Sequence, residues 1–142
     1  ILISSFYPEP IMFKISEAAA LALHTAGLLA TQPDRLVSAR DVAAHFKVSQ
    51  AHLAKVMQRL VKVGLIRSSR GPGGGFSLNK PAAEITLLHV YEAIEGPLEL
   101  NRCLLGHPVC PVGKCMMSGL TGIINQDTWQ YLANTRLSEI SI

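Results

Sequence analysis

The chain has 142 residues, 13 Lys+Arg against 10 Asp+Glu and a formal net charge of +3, which suits one domain with at most an appended element and a core that folds without staples. Hydrophobic residues at 49% and charged residues at 16% exclude wholesale disorder, and no apolar run approaches the ~18 residues of a membrane span. Taken whole, +3 is too weak to mark a nucleic-acid binder.

Residues 1–11 lack the positive segment and small-residue cleavage site of a secretory signal. With Pro8 and Pro10 they are expected to be an extended segment ahead of Met12, the expected natural start. Residues 16–31 are Ala-rich, which favours helix. Ala20, Leu23, Ala26 (or Gly27) and Ala30 recur there at three- and four-residue steps, and Gln32-Pro33-Asp34 ends the helix. Ser38 followed by Asp41 resembles a capping box and opens a short helix over residues 39–46, with Val42, Ala43 and Phe46 inward. Lys47-Val48-Ser49 is then a tight connection, with Ser49 as N-cap of the next helix. That helix reaches about residue 63. It carries Leu53, Val56, Met57 and Leu60 at i, i+3, i+4 and i+7, and His52, Lys55, Arg59 and Lys62 on its other face; Gly64 stops it.

Residues 65–68 and 76–78 read as strands around the hairpin loop that begins at Arg70 and ends at Gly75. Thr86 caps a fourth helix bearing Leu88, Val90, Tyr91 and Ile94, which stops at Gly96-Pro97. A Pro/Gly/Cys-rich loop fills residues 97–114, and a last helix over residues 115–134 places Met116, Leu120, Ile123 and Ile124 on one stripe.

This order predicts a mainly α fold with a small β-hairpin wing: a winged helix-turn-helix over residues 12–96, a cysteine-bearing loop over 97–114, and a long C-terminal dimerisation helix with its tail over 115–142. The last helix has few partners left within the chain. It is expected to find a second copy, with Trp129 and Tyr131 at the interface of a homodimer, while Tyr91 packs the fourth helix onto the winged domain. His45 and His89 are read as ordinary surface or packing residues.

Charge is unevenly divided. Residues 40–80 hold eight basic side chains and one acid, Asp41, a net +7; the remainder has five against nine, a net −4. A solvated basic helix face is the bland explanation for one helix. Joined to a helix-turn-helix order and a glycine wing flanked by arginines, the excess points to double-stranded DNA, whose backbone releases counterions when phosphates are neutralised. Ser49 and its helix N-terminus suit a phosphate. Gln50, His52 and Lys55 lie in the turns that reach base edges, where Gln suits adenine and Lys guanine. Arg59 and Lys62 lie later and suit the backbone, and the small Ala51 and Ala54 let the helix sit deep. Arg67 and Arg70 flank the wing, where Arg70 suits a minor groove. Gly71, Gly73 and Gly74 permit close backbone approach, although a plain flexible turn is the simpler reading. The glycines are not a P-loop, because no Gly-Lys-Ser/Thr follows. No nucleophile–base pair and no small-molecule cofactor fingerprint is visible, so an enzyme is not expected.

The three cysteines, Cys103, Cys110 and Cys115, cluster in one stretch. A secreted disulfide domain uses an even, dispersed set, so a reducing, cytoplasmic setting and a local site are expected.

Met12-Phe-Lys-Ile-Ser16, Val48-Ser49-Gln-Ala-His-Leu53, the run from Leu60 to Ile66 and above all the run from Ser69 to Phe76 resemble the IscR/NsrR-type family of bacterial winged-helix regulators. The resemblance covers nearly everything from residue 12 to residue 140. It implies a dimeric transcriptional regulator, more often a repressor, with an iron–sulfur cluster (2Fe-2S or 4Fe-4S) held by three cysteines ahead of the C-terminal helix and reporting iron–sulfur status, nitric oxide or redox state. Cys103, Cys110 and Cys115 match those ligand positions. Thiolates are the normal ligands of such clusters, and Lys114 and a helix N-terminus beside Cys115 favour the thiolate. Zinc is the competing metal, with His107 between the first two cysteines; three ordinary thiols are the bland alternative. One branch of the family uses a His where this chain has Ser118, and another an acidic residue where it has Ala19. The fourth ligand therefore stays open among His107, Glu17 and His24, the last two sharing a helix face. A cluster-free regulator that answers to thiol oxidation or to a partner is the second reading, and a metalloenzyme or electron-transfer protein the remote one.

Overall fold

The computed structural model describes residues 15–98 and 115–140, which fall into two compact units. The larger contains residues 15–98 and 132–140, the smaller residues 115–131.

The larger unit opens with α1 (Glu17–Ala30), α2 (Ala39–Phe46) and α3 (Gln50–Lys62). Each begins at a hydroxyl cap. Ser16, Ser38 and Ser49 accept from the backbone N–H groups of Ala19, Asp41 and His52 at 3.1, 3.0 and 3.1 Å, satisfying donors the helix itself cannot. The Ser16 hydroxyl also donates to Glu95, which ties the start of α1 to the end of α4 (Leu87–Glu95). Between α2 and α3 the chain reverses at Lys47, the single described non-glycine residue with positive φ, at +55°. The strain of order 1 kcal/mol is held by the Val48 N–H donating to the Ala43 carbonyl at 3.0 Å.

The expected α3 stripe is the core: Leu53, Val56, Met57 and Leu60 are all buried. The expected α1 stripe is not. Ala19, Ala22, Ala26 and Leu29 face inward, with Leu21, Thr25 and Gly27, whereas Ala20, Leu23 and Ala30 are half-buried. The helix is apolar nearly all round, so spacing alone could not choose its face; packing against α3 and α4 chose it. Phe46, expected inward, is half-buried and lies edge-on to His24 and His45, at centroid distances of 5.9 and 4.7 Å.

Strands β1 (Ile66–Ser69) and β2 (Gly75–Leu78) pair antiparallel, with Ile66 opposite Leu78 and Ser69 opposite Gly75. Each is shifted or lengthened by one residue from its expected span. The hairpin has a third neighbour that the sequence does not announce. Val37 donates to the Phe76 carbonyl at 2.9 Å and accepts from the Phe76 N–H at 2.8 Å, fastening β2 to the segment just ahead of α2.

A 3-10 turn at Ala82–Glu84 precedes α4. Thr86 caps α4 by accepting from the His89 N–H, while His89 Nδ1 accepts from the Thr86 N–H at 3.1 Å, so a residue expected to be ordinary closes a capping box. Val90, Tyr91 and Ile94 are buried as expected, but Leu87 takes the core position expected of Leu88. Burial, and then the nearby charge of Glu95, push the Tyr91 phenol above its usual range, which keeps it neutral and able to donate.

Helix α5 (Ser118–Asn134) starts three residues later than expected, after a turn in which Ser118 N–H donates to the Cys115 carbonyl at 3.1 Å. In the smaller unit Met116, Leu120, Ile123, Trp129 and Tyr131 are exposed. Residues 132–140 close the larger unit: Leu137 N–H donates to the Ile85 carbonyl, Leu87 N–H to the Thr135 carbonyl, and Arg136 Nη1 to the Ala83 carbonyl, each at 2.9 Å. No described helix is long and apolar enough to cross a membrane.

The sequence pattern assigned the tail no place in the core, yet Leu137 is 1% exposed and Leu53 is 0% exposed. Leu137→Ala and Leu53→Ala are each expected to lower unfolding stability by about 2–5 kcal/mol. Urea titrations check this, and a near-neutral Leu137→Ala would show the tail to be peripheral.

Candidate nucleic-acid interface

The face of α3 opposite its core stripe is built by helical periodicity alone. Ala51, Lys55, Gln58 and Lys62 are exposed and lie one turn apart. Gln58 is at the centre of this face, a neutral residue that the distribution of charge does not mark. Its signal was available: it stands three residues from Lys55 and seven from Ala51.

The two flanks of this face differ chemically. Toward the hairpin, a groove is lined by Ala39, Ala54, Met57, Val61 and Phe76, with Ser69 and Arg70 at its edge. Toward α1, a second groove is lined by Ala18, His52, Lys55, Arg59 and Lys62. Gln58 borders both.

Several expected contact residues have structural partners. Arg59 Nη1 donates to the Ile94 carbonyl at 2.9 Å, a cation placed on the C-terminal carbonyls of α4, where the helix dipole favours it. Arg67 Nε donates to Ser77 Oγ at 2.9 Å, directly across the hairpin. Ser49 Oγ holds the His52 N–H. His52 itself is half-buried and Gln50 exposed.

The wing is more ordered than a flexible glycine run. Gly74 N–H donates to the Gly71 carbonyl at 2.9 Å, Pro72 stands second in the turn, and Gly73 stands third with φ +75°, the pattern of a type II turn. A Cβ on Gly74 would lie 2.3 Å from the Ser69 carbonyl oxygen, and one on Gly75 2.5 Å from that of Val37. Close approach therefore requires glycine at these two positions. Arg70 is exposed where the turn begins.

Of the expected metal ligands, Cys103, Cys110 and His107 lie outside the described residues. Cys115 is a free, half-buried thiol. It precedes the first residue of α5 by three positions. Glu17 and His24 are exposed on α1, two turns apart, and His24 Nδ1 donates to the Ala20 carbonyl at 2.7 Å, leaving Nε2 for another partner. Ala19 is 0% exposed. Among the described residues no three His, Cys, Asp or Glu side chains gather into a metal site.

Residues 15–141 match the family Rrf2, described as iron-dependent transcriptional regulators. An HTH-type transcriptional regulator named YffB, from Lactococcus lactis subsp. lactis, is 39% identical over 135 residues, covering 90% of this chain and 86% of the relative. The HTH-type transcriptional regulator NsrR of Halalkalibacterium halodurans is 37% identical over 105 residues, covering 68% and 71%. For two further curated relatives the matched stretch spans only 53% and 62% of their own length. Among solved structures, CymR (YrzC), titled the global cysteine regulator of B. subtilis, superposes with TM-score 0.74 at 24% identity over 90% of this chain and 95% of that one, a likeness of fold.

Gly74→Ala and Gly75→Ala are each expected to cost about 1–3 kcal/mol by forcing backbone apart. Thermal unfolding gives the cost, and amide exchange in Ser68–Ser77 shows whether it falls on the hairpin. Unchanged stability in both variants would mean that the turn relaxes freely.

Proposed function

The chain belongs to the Rrf2 family of transcriptional regulators, which are regulators and not enzymes, and from that premise we propose that it binds operator DNA as a cytoplasmic homodimer, usually as a repressor, under the control of an iron–sulfur cluster. The observation that carries the DNA reading is the exposed α3 face, with Lys55, Gln58 and Lys62 beside an ordered wing bearing Arg70. Gln50, Lys55 and Gln58 reach base edges in the major groove. Ser49, Arg59 and Lys62 contact the backbone. Arg67 braces the hairpin that presents Arg70, Gly71, Gly73 and Gly74 to the adjacent minor groove. The exposed apolar residues Leu120, Ile123, Trp129 and Tyr131 of α5 suit an interface with a second copy. A two-fold dimer would place two recognition helices on half-sites about one helical turn apart.

For the cluster, the donor chemistry fits: three thiols at Cys-x6-Cys-x4-Cys spacing are soft ligands suited to iron–sulfur centres. Cys103, Cys110 and Cys115 would hold it, with His107, Glu17 or His24 in the fourth position. When bound, it supplies a redox- and nitric-oxide-sensitive centre. The chain's own contribution is to link the state of these thiols to the placement of α3, and linkage makes cluster state and DNA affinity reciprocal. The second reading is a regulator that answers to thiol oxidation or to a partner with no cluster.

Anaerobically purified protein is expected to be coloured and to contain iron and sulfide, and stripping the cluster is expected to change duplex affinity. Colourless, iron-free protein from iron-replete anaerobic cells would defeat the cluster, and equal affinity of loaded and stripped forms would defeat its control of DNA. For the interface, Lys62→Ala is expected to weaken binding to every duplex and to flatten the dependence of log K on log salt by about 0.9. Gln58→Ala is expected to leave that slope alone and to lose discrimination at one base pair by roughly five- to hundredfold. Both follow from binding measured across salt and across single-base operator variants; the converse pattern would mean that the roles are misassigned.

A further inference from the structure

Helix α4 ends on a turn that holds two acids, Glu92 and Glu95, and no base. The negative end of the helix dipole lies there too, so this end favours a cation from elsewhere. Helix α3 supplies it: Arg59 Nη1 donates to the Ile94 carbonyl at 2.9 Å. Two other segments are tied to the same turn. Ser16, the N-cap of α1, donates to Glu95, and Leu98 N–H donates to Glu92 Oε1 at 3.1 Å. Gly96 N–H closes the turn on the Glu92 carbonyl at 2.9 Å, and with φ +82° it turns the chain toward Leu98. The start of α1, the middle of α3 and the segment that precedes Cys103 in the chain are thus fastened to one helix end.

Helix α3 is held in two different ways. Leu53, Val56, Met57 and Leu60 are buried, but apolar burial is non-directional. Alone it sets the roll and slide of a helix less sharply than a hydrogen bond, which weakens steeply off line. Arg59 also adjoins Gln58, at the centre of the exposed face, so its anchor bears on how that face is presented. We propose that Arg59 is a positioning residue, which fastens α3 to the last turn of α4 and makes the affinity of α3 for a preferred DNA sequence depend on that turn. The inference rests on the DNA-binding reading above and deepens it. It moves Arg59 from phosphate contact to anchor, and it gives regulation an entry point: a shift of residues 96–98 reaches α3 through Glu92 and Ile94.

The experiment measures binding of the intact protein, across salt, to a duplex that the wild type has selected from a random pool and to a mixed-sequence duplex. Arg59→Ala is expected to cut the ratio of the two affinities about tenfold and to leave the salt slope on the mixed-sequence duplex unchanged. Arg59→Lys, which keeps a charged donor, is expected to restore most of the ratio. The selected duplex is also expected to slow amide exchange at Gly96 and Leu98 in the wild type and not in Arg59→Ala. Equal losses on both duplexes, with a slope flattened by about 0.9, would overturn the role in favour of a phosphate contact. Exchange at Gly96 and Leu98 that ignores the duplex in the wild type would overturn the link through α4, whether or not the variants fold. An unchanged ratio in Arg59→Ala would overturn the role outright. A wild-type protein that binds no duplex would instead refute the DNA-binding reading, and Gly96 exchange no faster in free Arg59→Ala than in free wild type would then overturn the anchor as well.

Discussion

The backbone pair between Val37 and Phe76 sets how the hairpin sits against α2 and, through it, against α3. Two hydrogen bonds of 2.9 and 2.8 Å join the segment entering α2 to the second strand of the hairpin. They form only because residue 75 has no side chain; a Cβ there would collide with the Val37 carbonyl. Val37 is followed at once by Ser38, the N-cap of α2, and α2 hands the chain to α3 through the strained turn at Lys47. One close backbone approach thus sets the distance between the hairpin and α3, and the groove between them inherits its width.

That arrangement gives α3 two unlike neighbours. Its hairpin side meets a groove of Ala, Met, Val and Phe side chains, and its α1 side meets one of Lys, Arg and His. An apolar wall suits the methyl-bearing floor of a major groove, and a cationic wall suits a sugar–phosphate strand. A duplex presents both at once, one groove floor between two backbones. On the proposed reading the asymmetry would orient the helix, because rotation about its axis would bring the apolar wall against phosphate.

Much of this was legible in the residues. The Ser38 and Ser49 caps, the α3 stripe and the glycine wing follow from local rules that no distant contact overrides. The failures share a cause. Helix α1 is apolar on every side, so its buried face was decided by α3 and α4, and the same holds for Leu87 against Leu88 in α4. The anchoring of residues 132–140 depends on backbone pairs with Ile85 and Leu87, which leave no periodic trace in sequence. In the candidate interface, charge pointed to Lys55, Arg59 and Lys62, but the neutral Gln58 at the centre of the face was hidden by its lack of charge.

The wing's type II turn has a further consequence, in the thermodynamics of association. A loose glycine loop would lose its freedom only on meeting DNA, and each residue so ordered would subtract about 1–2 kcal/mol from the binding free energy. Here Gly73 already occupies its turn conformation, and Gly74 and Gly75 already lie against neighbouring backbone. That entropy is surrendered during folding. A wing that meets the minor groove as proposed would do so as a rigid body, and what it loses in adaptability to groove width it would regain as affinity.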